Sequence, residues 1–476
     1  MAPDGTVGLG WSDQTSESIE APLDSGDLIA VDPAELLAGT GSSDSPSDPG
    51  PPKVRSLADT GLTEPYLRSL ILKIMYAHGA QNPADIAKLV RLPSGVVRDA
   101  LEAMRMKGVL ESLGSETRGR QLDLRYNLGN TGKEWAQDAL RQSLYTGPAP
   151  VPLPQWLTQV KRQSITSDRV DQTAIAESLE NLVISRDMIA RFGPAVNAGR
   201  AILLYGAPGD GKTSIAQAIA LSFKQPVWIP YAIEVDGEIV KMYDPAIHHE
   251  RPAEPEMPSE PRSAFTRTLG PTNDGRWVRC SRPVVVVGGE LTMDMLELRY
   301  DPVGLYSEAP LHTKVTGGVL VVDDFGRQIA KPEQVLNRWV LPLESRIDYL
   351  TLHNGKKFAV AFDGLVIFST NLTPRAIMDS AMMRRIPYNF YIAPPNYDEY
   401  VRIFKNVCAD AGLVFDIDVV RMVMTHLYEE ENLPMARFHP RFIVDHLLAH
   451  CSYDGREPSM EPRLVLDAAE HLYTKH

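Results

Sequence analysis

The segment at residues 206–213 constrains this 476-residue chain more than any other feature. Its sequence, Gly206-Ala-Pro-Gly-Asp-Gly-Lys-Thr, matches the phosphate-binding pattern G-x-x-x-x-G-K-[ST]. The apolar run Ala201-Ile-Leu-Leu-Tyr precedes it, and Ser214-Ile-Ala-Gln-Ala-Ile-Ala follows it. This arrangement predicts a buried parallel strand, a tight loop and a helix, which is typical of α/β folds.

The residue types in this loop indicate what it binds. Glycines let backbone N–H groups turn toward phosphate oxygens, and the N-terminus of the next helix adds partial positive charge. Lys212 is expected to reach the β- and γ-phosphates, and the Thr213 hydroxyl to bind Mg²⁺. The loop therefore predicts ATP and Mg²⁺ as ligands. The expected binding residues are Gly206, Ala207, Pro208, Gly209, Asp210, Gly211, Lys212, Thr213 and Ser214.

A second apolar run ends in two carboxylates. The segment Gly317-Gly-Val-Leu-Val-Val-Asp-Asp-Phe-Gly resembles a Walker B strand. Asp323 is expected to hold Mg²⁺, directly or through water. Asp324 is expected to polarise the attacking water.

Three later segments complete an order that resembles the AAA+ ATPases. Leu365-Val-Ile-Phe-Ser-Thr-Asn is an apolar strand ending in a polar residue, Asp379-Ser-Ala-Met-Met-Arg-Arg-Ile-Pro-Tyr contains paired arginines, and His439-Pro-Arg opens a helix. The resemblance covers residues from about 170 to 476. The whole chain is similar to bacterial AAA-family ATPases with an N-terminal winged helix, loosely described as chaperone-like. They share segments like 323–328 and 384–388 of this chain.

The resemblance implies roles for further residues. Asn371 is the expected sensor that helps place the water near the γ-phosphate. One of Arg384 and Arg385 is expected to act on the nucleotide of a neighbouring subunit, and the other to form a structural salt bridge. The implied catalytic set is Lys212, Asp324, Asn371, Arg384 and Arg385.

The helical end of the chain supplies one more expected contact. Arg441 is expected to reach back to the γ-phosphate, with Arg437 as the alternative. Proteins of the AAA+ type usually have Glu where Asp324 stands. Because Asp is one methylene shorter, slow hydrolysis, or dependence on a partner that adjusts the geometry, is expected.

The expected fold class is α/β: a parallel sheet with helices on both faces, a C-terminal helical lid and an N-terminal winged helix-turn-helix. Five parts are expected along the chain. They are a disordered acidic tail at 1–56, a winged-helix domain at 57–145, a Pro-rich linker at 146–169, an ATPase core with β-hairpin insertions at 170–393 and a helical lid at 394–476.

Residues 57–145 show the order of three helices followed by a two-stranded wing. Apolar residues at helical spacing mark the helices, and Leu122-Asp-Leu-Arg-Tyr-Asn-Leu marks the second strand of the wing. Residues 53–145 carry a net charge of +4, and the basic residues on the second helix of the turn pair and on the wing would face phosphates. Such modules also dock proteins, so duplex DNA and a protein partner remain alternatives.

Charge and composition limit the other classes of protein to which this chain could belong. Residues 1–52 hold ten acidic residues and no Lys or Arg, so they account for most of the net charge of −13. A more apolar stretch, residues 27–37, is either a docking motif or a slightly sticky linker. No transmembrane run and no secretory signal is found, and three scattered cysteines form no metal or disulfide pattern. A cytoplasmic location is expected.

Two insertions depart from a minimal core. Asp236-Gly237 and Asn354-Gly355 lie between alternating apolar runs and predict hairpins. The second resembles a hairpin of ring motors, and a plain structural hairpin is the alternative. Trp228, Tyr231 and Tyr243 are either substrate-gripping aromatics or ordinary packing residues. His248-His249-Glu250 is expected to be solvated rather than to bind a metal, and Pro283-Val-Val-Val-Val is expected to be a buried strand.

These features support one leading function and two alternatives. The leading hypothesis is an oligomeric ATPase, in a hexameric ring or helical assembly, that remodels or assembles a macromolecular partner, an unknown protein. The first alternative is a DNA-bound ATPase or regulator anchored by the winged helix. The second is an ATP-controlled assembly switch with little turnover.

Overall fold

The computed structural model describes residues 50–118, 121–252 and 273–472 and the backbone of strand β1 (Leu28–Ile29); side chains at 115–123 are outside the description. The acidic tail expected at 1–56 thus lies mostly outside the described residues. Residues 50–56 differ from that expectation, because Val54 is 2% exposed and belongs to a hydrophobic core. The folded N-terminal unit therefore includes residues before 57.

The N-terminal unit, residues 50–145, combines helices with one antiparallel hairpin. Its elements are α1 (Leu57–Thr60), α2 (Glu64–His78), α3 (Pro83–Val90), α4 (Ser94–Met106), β2 (Leu110–Arg118), β3 (Gln121–Leu128) and α5 (Asn130–Gln142). Thr63 and Asn82 cap α2 and α3 by accepting backbone N–H groups. Apolar residues on the inner helix faces and on the hairpin form one shared core.

Residues 146–169, the expected Pro-rich linker, are folded over much of their length. Strand β4 (Val151–Pro152) leads into helix α6 (Leu153–Arg162). Leu153, Trp156 and Val160 recur at helical spacing and are buried against the inserted strands described below. This segment is a packed element rather than a spacer, because one face of α6 is apolar.

The central sheet has five strands, and each neighbouring pair is parallel. The order is β10 (Val284–Val287), β13 (Val319–Val322), β16 (Leu365–Thr370), β5 (Ile202–Tyr205) and β17 (Tyr388–Tyr391). Successive residues of β5 face opposite sides of the sheet. Ile202 and Leu204 belong to one core, and Leu203 belongs to the other. This confirms the expected α/β class with a parallel sheet.

Helices cover both faces of the central sheet. One face is packed by α7 (Gln172–Ser178), α8 (Arg186–Ala198) and α9 (Lys212–Ala220). The other is packed by α10 (Leu311–Lys314), α11 (Pro332–Arg338), α12 (Val340–Ser345), α13 (Pro374–Ile377) and α14 (Ser380–Arg385). Strand β10 lies at the sheet edge, so Val286 is 37% exposed and the expectation of a buried strand there was wrong.

The inserted strands form a second layer, called the insertion here. They are β6 (Val227–Pro230), β7 (Ala232–Val235), β8 (Glu238–Lys241), β9 (Trp277–Cys280), β11 (Arg299–Asp301), β12 (Tyr306–Glu308), β14 (Ile347–Thr351) and β15 (Lys357–Ala361). Asp236 and Gly237 both have positive φ angles, and β7 pairs with β8. β14 pairs with β15 around Asn354 and Gly355. Both predicted hairpins are confirmed.

The N-terminal unit packs directly on the insertion. Ala232 and Ile239 of the insertion belong to the core of the N-terminal unit. Arg276 is 1% exposed, and its guanidinium donates to the carbonyls of Thr60 at 2.9 Å and Pro150 at 3.2 Å. Asp274 neutralises it at 2.8 Å. Because this buried charge is bonded to groups from both parts, it attaches the N-terminal unit to the insertion.

The C-terminal region, residues 394–472, has a hydrophobic core of its own. Its helices are α15 (Tyr397–Asp410), α16 (Ile417–Met424), α17 (His439–Asp454) and α18 (Pro462–Glu470). Phe404, Val420 and Leu447 are fully buried between them. Asn396 caps α15 through the N–H of Glu399, and Glu399 bonds back, which sets where the region begins.

Two further findings concern the bonding of the cysteines and membrane-spanning helices. Cys280, Cys408 and Cys451 are buried and unbonded, as their scattered positions suggested. Within residues 50–118, 121–252 and 273–472, no helix combines the length and apolarity needed to span a bilayer.

Candidate functional site

The phosphate-binding loop joins strand β5 to helix α9 at the edge of the central sheet. Gly209 and Gly211 have φ angles of 81° and 79°, in the left-handed region that favours glycine. A Cβ at Gly209 would also overlap the ring of Phe438, which comes from the C-terminal region. The Phe438 N–H donates to the Gly209 carbonyl at 3.1 Å. The loop therefore lies under a second part of the chain.

Lys212 is turned into this loop. Its ammonium donates to the carbonyls of Ala207 at 2.7 Å and Gly206 at 3.1 Å, and to Asn371 Oδ1 at 2.6 Å. The side chain is only 6% exposed. Desolvation lowers its pKa, while the nearby carboxylates of Asp210 and Asp324 act in the opposite direction. A lysine so placed offers a cation where phosphate oxygens enter the loop.

Thr213 and Asp323 meet directly. The Thr213 hydroxyl lies 2.8 Å from both carboxylate oxygens of Asp323. Asp323 follows the last residue of β13, and its own carbonyl accepts from the Gln328 side chain at 2.6 Å. A hydroxyl and a carboxylate at this separation are oxygen ligands of the kind Mg²⁺ prefers. The two predicted metal ligands therefore fit one ion.

Asn371 bridges the lysine to the second acid. Its Oδ1 accepts from Lys212, and its Nδ2 donates to Asp324 Oδ1 at 3.1 Å. Asp324 has a φ of 47°, a left-handed conformation that is uncommon for a residue other than Gly. The backbone at Asp324 is therefore held in an unfavourable conformation while its carboxylate faces the loop.

These side chains converge because of the strand order. Strands β13, β16 and β5 are neighbours and run in the same direction, so their carboxyl ends meet at one edge. Asp323, Asn371 and the loop each follow directly after one of these strands. Ligands of open α/β sheets bind at the carboxyl ends of the strands. The chemistry of this donor set fits a phosphate group with a divalent cation.

A cavity of about 240 Å³ adjoins the loop. Residues 181–184 line one side, Asp210 and Ser214 the loop side, and Asn406 and Arg437 the side of the C-terminal region. Asp210 is fully buried, which raises the pKa of its carboxyl, while the nearby Arg437 opposes that shift. Sequence patterns missed residues 181–184 and Asn406, because they carry no motif and reach the site only through folding.

Arg437 rather than Arg441 lies beside the loop. The Arg437 guanidinium bonds to Glu399 at 3.0 Å and to the carbonyl of Val183. Arg441, in the first turn of α17, is exposed. The structure thus brings the alternative, Arg437, to the cavity, and leaves the first expectation, Arg441, at the surface.

Arg384 and Arg385 occupy different environments. Arg385 pairs with Glu344 at 3.0 Å and donates to the Ala381 carbonyl at 3.0 Å. Arg384 is exposed and lines an open depression together with Arg200 and Glu344. The contacts described for these arginines do not include the phosphate-binding loop.

Residues of the insertion behave as packing groups. Trp228 is 8% exposed and lies in a core, and the rings of Tyr231 and Tyr243 are 5.2 Å apart and partly buried. His248 was expected to be solvated, which was wrong. It is 1% exposed, with Nδ1 accepting from the Asp244 N–H and Nε2 at 2.7 Å from the Lys314 carbonyl. Burial lowers its pKa.

Comparisons with known proteins add limited similarities. A family model described as a domain of unknown function (DUF8689) matches residues 396–471, which form the C-terminal region. The search of curated proteins found no match. A mutant of RuvB from Thermotoga maritima is 13% identical, with 65% of this chain and 73% of that chain covered and a TM-score of 0.33.

NtrX from Brucella abortus is 14% identical, with 73% of this chain and 68% of that chain covered and a TM-score of 0.36. Likeness at this level assigns neither a family nor an activity to the chain.

Proposed function

We propose that this chain is an ATPase of the AAA+ type, which binds Mg²⁺ and ATP at the loop 206–213 and hydrolyses the bond between the β- and γ-phosphates. The observation that carries this proposal is the convergence of Lys212, Thr213, Asp323 and Asn371 at the ends of three neighbouring parallel strands. Each of these residues offers the atom type that its proposed partner requires.

Each side chain has one role in the proposal. Lys212 holds the β- and γ-phosphates, and Thr213 with Asp323 holds Mg²⁺. An ion held there would neutralise charge on the phosphate groups. Asp324 accepts a proton from the attacking water, and Asn371 orients that water molecule. The contact between Asn371 and Asp324 at 3.1 Å supports this pairing of roles.

The adjoining cavity is the proposed site of the nucleotide base. The C-terminal region acts as the lid, and Arg437 is its contact with the loop. This assignment rests on the Phe438 N–H bond to Gly209 and on the position of Arg437 between Val183 and Glu399. Arg441 is not needed for this contact.

The ATPase is proposed to work as an oligomer. The exposed position of Arg384 supports the role of a finger that acts on the nucleotide of a neighbouring subunit. The ion pair of Arg385 with Glu344 supports a structural role for Arg385.

The N-terminal unit is proposed to be a winged helix that docks a protein partner. Its order of helices followed by a hairpin supports the fold. Two basic residues expected to face DNA are engaged by acids: Arg105 with Glu102 at 2.7 Å and Lys107 with Glu64 at 2.8 Å. Basic side chains that are already paired with acids would release fewer counterions from DNA phosphates on binding. This observation therefore favours a protein partner over a duplex.

Asp324→Asn is expected to keep ATP affinity and to lower steady-state ATP turnover about 100-fold, since a positioned general base contributes on that order. Asn keeps the size of the side chain and removes its basicity. Asp301→Asn, in the insertion, is a matched control that should leave turnover unchanged. Normal turnover of Asp324→Asn would remove Asp324 from catalysis.

Turnover of the unmodified chain is expected to be indifferent to random duplex DNA at low salt. The measurement is steady-state phosphate release with and without DNA, where electrostatic binding is strongest. A several-fold stimulation by DNA, lost as salt rises, would instead make the DNA-bound ATPase the better account.

A further inference from the structure

A cavity of about 450 Å³ lies between the N-terminal unit and the insertion, away from the nucleotide site. Helices α2 and α5 form one wall. The turn of β7 and β8, the segment from β11 to β12 and the turn of β14 and β15 form the other. The residues that matter for its chemistry are Tyr66, Lys73, Ser143, Glu238 and His353.

Lys73 is a buried cation in this wall. It is 5% exposed on a helix face where its neighbours Leu70 and Ile74 are also buried. Its ammonium donates to the Ser143 carbonyl at 3.0 Å, which leaves two of its three N–H groups for other acceptors. Desolvation lowers its pKa to about 8, and no carboxylate pairs with it among the side chains that the structure describes.

Tyr66 adds a second donor to the same cavity. Its hydroxyl is buried and has no hydrogen-bond partner in the described part of the chain. Glu238 also lines the cavity, and Glu234 lies near Tyr66 but accepts from the Gly237 N–H at 2.7 Å. A buried ammonium and a buried phenol together fit a carboxylate, which accepts several hydrogen bonds.

Strand β1, at the end of the acidic segment, pairs beside this cavity. Strand β1 pairs with β15 in parallel, with Leu28 opposite Lys357 and Ile29 opposite Phe358. Because the two strands run in the same direction, the N-terminal end of β1 points toward the turn at 353–356. His353 in that turn lines the cavity and stacks on Tyr300 at 3.8 Å.

The segment ahead of Leu28 has the complementary charge. Residues 17–27 contain Glu17, Glu20, Asp24 and Asp27 and no Lys or Arg. Asp24 precedes Leu28 by four residues, which is about 13 Å of extended chain. Lys356, at the same turn, pairs with Asp236 and so joins the turns of the two hairpins at the cavity.

We propose that this cavity is the docking site for the chain's own acidic segment 17–27, with one of its carboxylates bound by Lys73 and Tyr66. The pairing of β1 with β15 holds the C-terminal end of the segment in place. The Lys73 ammonium then pairs with one of the carboxylates of the segment. The tail then crosses from the insertion to the N-terminal unit within one chain.

Zero-length cross-linking of the full chain with a carbodiimide, followed by digestion and mass spectrometry, tests the proposal. The reagent joins an amine to a carboxylate only when the two are in contact. The expected product links Lys73 to a peptide containing residues 17–27. The ion pair of Lys107 with Glu64 at 2.8 Å is an internal positive control.

Two matched sets of tail variants decide whether the contact is specific. Glu17→Gln, Glu20→Gln, Asp24→Asn and Asp27→Asn together should abolish the Lys73 product. Asp4→Asn, Asp13→Asn, Asp44→Asn and Asp48→Asn together remove the same number of tail charges and should leave it. Each exchange replaces a carboxylate by an amide of the same size, so both sets should keep the fold.

Three outcomes would overturn the proposal. The Lys73 product is absent while Lys107 still couples to Glu64, or both variant sets reduce it equally. Alternatively, a mixture of isotopically light and heavy protein gives the product between chains, which assigns the cavity to the tail of a second copy.

Discussion

Lys212→Ala is expected to weaken ATP binding by about 100-fold or more and to abolish turnover. The ammonium is buried among the Gly206 and Ala207 carbonyls and Asn371, where a phosphate would take over part of its bonding. Hydrogen bonds to a charged group contribute about 1.5–3 kcal/mol each. Loss of two such bonds removes about 3 kcal/mol, and each 1.4 kcal/mol is tenfold in affinity.

Lys224→Ala is the matched control for this variant. Lys224 lies shortly after α9, is exposed, and pairs with Glu177 at the surface. Surface pairs of this kind contribute about 0–1 kcal/mol, so affinity and turnover should hardly change. Equilibrium titration with a fluorescent ATP analogue measures both variants. An unchanged affinity of Lys212→Ala, with an unchanged unfolding temperature, would contradict the assignment of the loop.

Arg384→Ala is expected to lower ATP turnover about 1,000-fold while leaving ATP affinity of the chain nearly unchanged. An arginine that completes a neighbouring subunit's site is worth about 10³–10⁵ in rate. Arg385→Ala is the adjacent comparison. It removes the contact with Glu344, so it should cost stability by about 1 kcal/mol or less and leave most of the turnover.

Mixing variants tests whether the site is shared between subunits. The Arg384→Ala chain keeps its own loop, and the Lys212→Ala chain keeps Arg384. A mixture should therefore regain turnover that neither variant has alone. If Arg384→Ala alone is fully active, or if only Arg385→Ala is inactive, the proposed roles of the two arginines are wrong.

The meeting of Gly206, Asp323 and Asn371 at one edge of the sheet was predictable from local patterns. Apolar runs that end in Gly206, Asp323 and Asn371 predict parallel strands, and parallel strands bring their carboxyl ends together. The hairpins at Asp236-Gly237 and Asn354-Gly355 were predictable for a similar reason, because their turn conformation depends on two residues.

Features set by long-range packing were not predictable. Arg437 reaches the loop because the C-terminal helices fold back over it, and no spacing in the sequence distinguishes it from Arg441. His248 is buried where its ring meets the Lys314 carbonyl at the end of α10, a contact between residues far apart in the chain. The prolines at 148–154 indicated a linker, but the apolar face of α6 packs on the insertion.

The N-terminal unit illustrates the same limit. Its helices follow from periodicity and caps, whereas its attachment depends on Arg276, more than a hundred residues away along the chain from the Thr60 and Pro150 carbonyls that it binds. A buried arginine with such partners is invisible to a local pattern. It also means that the unit sits on the insertion rather than on a flexible tether.

The most direct test of the central claim is equilibrium titration of the unmodified full chain with ATP, with Mg²⁺ and then with excess chelator. We expect saturable binding of one ATP per chain that weakens when Mg²⁺ is removed, because Thr213 and Asp323 hold the ion. Absence of saturable binding at millimolar ATP, or binding of equal strength in Lys212→Ala, would contradict it.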